Sequence, residues 1–134
     1  MSEPGVTHDL EPAAAAEFES VMVVQTAETA QRFRDEVMAG AERADQTALK
    51  RMRRRYALSR SPERETPYPG PTLILTGRQD SIAGYADAYP LLAHYPRATY
   101  AVLDRAGHGL QLEAPALFEA LVSEWLDRVG DTPA

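Results

Sequence analysis

Asp80 and His108 each follow a β-prone run, and a carboxylate beside an imidazole is a pair that can move protons to and from a hydroxyl. The first run, Thr72-Leu73-Ile74-Leu75-Thr76, is stopped by Gly77 and followed by Arg78-Gln79-Asp80. The second, Thr99-Tyr100-Ala101-Val102-Leu103, is followed by Asp104-Arg105-Ala106-Gly107-His108. In open α/β sheets reactive groups collect at the carboxyl ends of strands, where loops can be aimed without disturbing the core. The separation of 28 residues is one that a single right-handed strand-helix-strand crossover turns into spatial proximity on one sheet edge. A carboxylate that accepts the Nδ1–H of the histidine fixes its tautomer. It also stabilises the imidazolium formed when Nε2 takes a proton from a hydroxyl. Alone, an aspartate after a strand reads as a turn or helix-cap residue; two such groups at successive strand ends point to an acid and a base. Asp104 competes for the acid role because it lies close to His108, but the same proximity suits a carboxylate that braces the loop.

The group to be deprotonated is missing from the pattern. Hydrolase nucleophiles of this kind sit on a sharp strand-to-helix turn such as Gly-X-Ser-X-Gly. Ser2, Ser20, Ser59, Ser61, Ser81 and Ser123 all lack glycines at both flanking positions of that motif.

The elements that must position the pair follow from periodicity. Residues 1–20 mix proline, glycine, alanine and acid, and predict a flexible arm or a short helix over Ala13 to Ser20. Thr26 is suited to cap a helix carrying Ala30, Phe33 and Val37 on one face, with Gly40 ending it. Asp45 is suited to cap a second helix, with Leu49, Met52 and Tyr56 as its apolar stripe. The two form an antiparallel hairpin within a cap-like segment over residues 21–60. A proline-rich linker over 61–71 separates it from 72–130, where a strand, a helix from Asp87 to His94 and a second strand are expected. The strands read as buried on both faces. The long final helix begins near Pro115 with Leu117, Phe118, Leu121, Val122, Trp125, Leu126 and Val129, and ends at Gly130; residues 131–134 form a loose tail.

In combination, Pro-Thr-Leu-Ile-Leu-Thr-Gly-Arg-Gln-Asp, then Tyr-Pro-Arg-Ala-Thr-Tyr-Ala-Val-Leu-Asp-Arg-Ala-Gly-His and the terminal helix resemble the last two strands of the α/β-hydrolase superfamily. The helical region before the linker is similar to the cap of those enzymes. The resemblance spans roughly residues 18 to 129. It implies a partial α/β-hydrolase fold: cap hairpin, β-α-β unit and long C-terminal helix. It places Asp80 and His108 on the acid and histidine positions of a nucleophile-acid-histidine triad. The first five or six strands, the oxyanion loop and the nucleophile elbow of the family have no counterpart here. With a serine nucleophile the implied reaction is hydrolysis of an ester, an amide or a carbon–carbon bond beside a ketone. With an aspartate it is dehalogenation or epoxide opening. No cofactor is implied. The implied partners are a complementing N-terminal hydrolase half, or a second copy, and a small-molecule substrate once assembled. A truncated or inactive remnant that serves as a binding module is the alternative.

Bulk properties narrow the remaining classes. A chain of 134 residues suits one domain. A formal charge of −6 argues against general nucleic-acid binding, and the basic run Lys50 to Arg55 reads as a solvated helix face. The absence of cysteine excludes disulfides, thiolate metal sites and a cysteine nucleophile. His8 and His94 have no partner at metal-ligand spacing, so no metal site is expected. No apolar run approaches the roughly 20 residues of a membrane-spanning helix, and the amino terminus lacks a basic n-region with an apolar h-region. A cytoplasmic protein without membrane partners is the expectation. Phe33, Tyr56, Tyr85 and Tyr89 could line a pocket or simply pack.

Overall fold

A computed structural model describes residues 2–62 and 66–131. The expected linker and tail lie partly outside these. In chain order the elements are α1 (Pro12–Val21), α2 (Ala27–Arg32), a π-helical stretch (Phe33–Met38), α3 (Ala39–Arg43), α4 (Gln46–Arg53), β1 (Thr72–Gly77), α5 (Tyr85–Ala88), a 3-10 turn (Tyr89–Ala93), β2 (Ala98–Leu103), α6 (Leu110–Glu113) and α7 (Pro115–Gly130). Among the described residues no helix is long and apolar enough to cross a membrane.

The two strands pair in parallel, from Thr72 opposite Ala98 to Gly77 opposite Leu103. Both therefore deliver their following loops to the same edge. The parallel pair is the one the β-prone runs predict, but its burial is not. Thr76, Gly77 and Leu103 are buried, whereas the other strand residues are only partly covered. A parallel sheet is ordinarily covered on both faces and broader than two strands. Here α7 packs on β1 and is tied down by Trp125, whose Nε1–H donates to the Pro71 carbonyl at 3.1 Å. The Arg128 guanidinium adds donors to the Arg97 carbonyl at 3.1 Å and to Thr99 Oγ1 at 2.9 Å. No residue of α7 is fully buried, and Leu117, Leu126 and Val129 are exposed.

The connection between the strands differs from the expected helix over 87–94. The helix starts earlier, with Gly84 at its cap, and α5 gives way to a 3-10 turn at Tyr89. Pro90 has no N–H to continue the ladder, so the tighter turn takes over.

The core lies at the other end of the chain. Phe18, Met22, Ala30, Phe33 and Leu112 form one buried cluster, with the Phe18 and Phe33 rings edge to face at 5.4 Å. Of the two forms expected for the amino-terminal stretch, the helix is the one present: α1 supplies Phe18, the largest fully buried side chain among the described residues, and the Glu3 N–H donates to the Gln25 carbonyl at 2.9 Å. The alanine-rich composition conceals this because one phenylalanine in contact with Phe33 is enough to anchor the helix.

Both predicted caps form. Thr26 and Thr29 make a reciprocal capping box, and Asp45 Oδ1 accepts from the N–H groups of Thr47 and Ala48. Gly40 does not end the first helix. The chain passes through a π-helical stretch and α3 before Ala44 turns extended. The expected hairpin packing is absent as well: α4 buries none of its residues, and Met52 and Tyr56 are exposed. Of its apolar stripe only Leu49 is partly covered.

Candidate active site

Asp80 and His108 meet. Asp80 Oδ2 lies 3.1 Å from His108 Nδ1; the acid side chain is 6% exposed and the imidazole 50%. The other carboxylate oxygen, Oδ1, accepts from the N–H groups of Ile82 at 2.7 Å and Ala83 at 2.9 Å. Asp80 is thus also the turn residue that its isolated context suggests. One oxygen organises the loop and the other faces the histidine.

Burial works to raise the Asp80 carboxyl, but the backbone N–H groups of Ala83 and Ile82, with the His108 ring, outweigh it and hold the group below its ordinary 3.8. A carboxylate favoured in the folded state contributes stability in full above its unfolded value and loses it as pH falls through the lower folded value. Urea midpoints of the wild type and Asp80→Asn should therefore differ near neutrality and converge as pH falls through and below the ordinary carboxylate value. A difference that stays constant across that range would remove the carboxylate from the account.

Close backbone contact brings the loops together. A side chain at Gly77 would collide with the carbonyl oxygens of Ala106 and Gly107, so only glycine lets the β1 end approach the histidine loop. Gln79 fastens the same loop from the β1 side. Its N–H donates to the Ala106 carbonyl at 3.0 Å, its Oε1 accepts from the Ala106 N–H at 3.2 Å, and its Nε2 donates to Asp104 Oδ1 at 3.0 Å. The turn it holds contains Arg105 at φ 56°, in the left-handed region. Asp104, the competing acid, is thereby engaged with Gln79, and this contact leads the causes that hold its carboxyl below the ordinary range. It braces the loop. Asp80, not Asp104, is the partner of His108.

His108 also borders a mainly apolar cleft of about 180 Å³, lined by Val21, Met22, Phe33, Val37 and Leu112 together with Glu17 and Gln111. Of the aromatic residues considered for a pocket, only Phe33 reaches this cleft. Tyr56 is exposed, Tyr85 lies under the Arg78 guanidinium at 5.2 Å, and Tyr89 stands edge to face with Tyr100. Since Nδ1 is committed to Asp80, Nε2 is the nitrogen available for proton transfer. The arrangement can act as an oriented general base beside an apolar wall.

The crystal structure of an alpha/beta superfamily hydrolase from Oenococcus oeni PSU-1 superposes on 98% of this chain with a TM-score of 0.85 and 20% sequence identity, and 49% of that chain is matched. The chain has a partial α/β-hydrolase fold. It spans about half the length of that hydrolase. No protein-family model matches the sequence, and no curated protein is similar to it. Within this partial α/β-hydrolase fold, the sparse cover of β1, β2 and α7 has a physical reason. Two strands and the helices beside them make fewer layers than apolar faces of this kind need.

Gln79 and Glu113 hold the histidine loop but escape sequence reading. Gln79 stands in the quoted strand-end motif, yet its partners lie beyond β2. Glu113 looks like an ordinary residue of a short helix before Pro115. Its backbone partners at Val23 and Val24 are 90 and 89 residues away, and no periodicity carries such a signal.

Proposed function

We propose that this chain carries the acid and the base of a hydrolase whose nucleophile lies on another stretch of polypeptide. His108 takes the proton of the nucleophile and returns it to the leaving group, while Asp80 holds the ring in the Nδ1–H tautomer. The observation that supports this most is the 3.1 Å contact between Asp80 and His108 at the ends of adjacent parallel strands. The cleft beside His108 agrees with it. Complete ligand pockets enclose roughly 300–1,000 Å³, and about 180 Å³ is one wall of such a site. The substrate is a small molecule with an ester, amide or ketone-flanked carbon–carbon bond if the nucleophile is serine. An aspartate nucleophile would serve a halide or an epoxide. The partner is a polypeptide carrying the remaining βα units, covering the half-buried strands.

The isolated chain should show neither turnover of activated esters nor covalent labelling by a fluorophosphonate probe, since none of its serines stands in a nucleophile turn. Serine labelling of the isolated chain would overturn this reading. Co-expression with a segment that ends its βα units in Gly-X-Ser-X-Gly should restore hydrolysis, and His108→Ala should abolish it. Leu117, Leu126 and Val129 are exposed on α7, which favours a second reading as a non-catalytic interaction module. That reading prevails if the assembled halves bind but do not react, or if the chain pairs only with itself.

A further inference from the structure

Three consecutive backbone N–H groups around the histidine are each held by a different part of the chain. Ala106 donates to Gln79 Oε1 at 3.2 Å, Gly107 to Glu113 Oε2 at 2.6 Å, and His108 to the Val21 carbonyl at 3.0 Å. Glu113 does more than the other two. Its second oxygen, Oε1, accepts from Val23 at 2.5 Å and Val24 at 2.8 Å. One carboxylate therefore joins the histidine loop to the segment that leaves α1. That segment also touches the loop directly, because a side chain at Gly107 would collide with the Val21 carbonyl. Val21 and Met22 line the cleft next to His108, and Leu112, the neighbour of Glu113, is buried in the core cluster.

We infer that Glu113 is a positioning residue: it locks the His108 loop to the Val21–Val24 segment, so that the general base and the apolar wall of the cleft keep one relative placement. This rests on the proposed role of His108. Three N–H donors converging on one carboxylate make charge-assisted hydrogen bonds, which are shorter and about twice as strong as neutral ones. No neutral side chain of the same shape can replace it. Glutamine offers one acceptor oxygen and turns an NH2 group toward the remaining N–H, so either Gly107 or the Val23–Val24 pair loses its acceptor. The cost falls on loop order rather than on the core, which Leu112 still anchors.

The test is nuclear magnetic resonance on the intact chain. In the wild type, scalar couplings across hydrogen bonds should connect the Gly107, Val23 and Val24 amides to the Glu113 side-chain carboxyl carbon. Their absence, with couplings visible between β1 and β2, would overturn the inference without recourse to any variant. In Glu113→Gln, amide exchange at Gly107 or at Val23 and Val24 should accelerate by about ten-fold or more, while Phe18 and Leu103 keep their protection. The His108 Nδ1–H signal should broaden or shift. Unchanged exchange and an unchanged histidine signal would contradict the lock. Failure of the underlying reading is seen separately: Asp80→Asn would then leave the His108 tautomer unaltered, whereas the couplings to Glu113 do not depend on Asp80.

Discussion

Asp80→Asn should leave the chain folded and lower the kcat of the proposed two-part hydrolase by about 10⁴-fold, the loss seen when a triad acid becomes its amide. The asparagine carbonyl can keep the Oδ1 contacts to Ile82 and Ala83, so the β1 loop retains its shape. Its NH2 group then faces His108 Nδ1, where the carboxylate stood. A donor at that place favours the tautomer with the proton on Nε2, and the nitrogen meant to accept a proton already carries one. The side chain is 6% exposed, so water cannot readily substitute. The expected signature is a fall in kcat with little change in KM, measured in the co-assembled enzyme. A loss of less than ten-fold would make Asp80 a loop residue only.

Phe18→Ala should be the most destabilising single truncation in the chain, by about 3–5 kcal/mol. Phe18 is fully buried, and its ring meets Phe33 edge to face in the cluster that includes Leu112. Removing it leaves a cavity that α1, α2 and α6 can close only by moving toward one another. Domain stabilities lie around 5–15 kcal/mol, so the loss could take most of the folded population. Urea unfolding reads it as a lower midpoint at an unchanged slope. Tyr56→Ala is the control: Tyr56 is 88% exposed, and surface changes stay within about 0.5 kcal/mol. Equal effects for the two variants would show that α1 is not part of the core.

The strands and the acid–histidine pair were legible because their signals are local. Thr72 to Thr76 and Thr99 to Leu103 are β-prone runs ending at turn residues, and one crossover fixes what stands beside what. The caps at Thr26 and Asp45 were legible for the same reason: a cap is a contact over two or three residues. Burial was not. The apolar stripe of α4 and the strand faces suggest cover, yet a stripe records only what a segment could bury, not what lies against it. Gly40 was read as a stop, but glycine in a helix costs only about 1 kcal/mol relative to alanine, and the surrounding turns carried the helix through. Glu113 and the anchoring role of Phe18 depend on contacts between segments far apart in sequence, for which a single sequence has no local marker.

In the proposed mechanism Asp80 presets His108 as a base before any partner is present. The most direct measurement is the nitrogen-15 spectrum of the His108 imidazole in the isolated chain, at a pH where the ring is neutral. Nδ1 should be protonated and hydrogen-bonded to Asp80 and Nε2 unprotonated, with the preference lost in Asp80→Asn. A ring protonated on Nε2, or averaging between tautomers as in a free histidine, would contradict it.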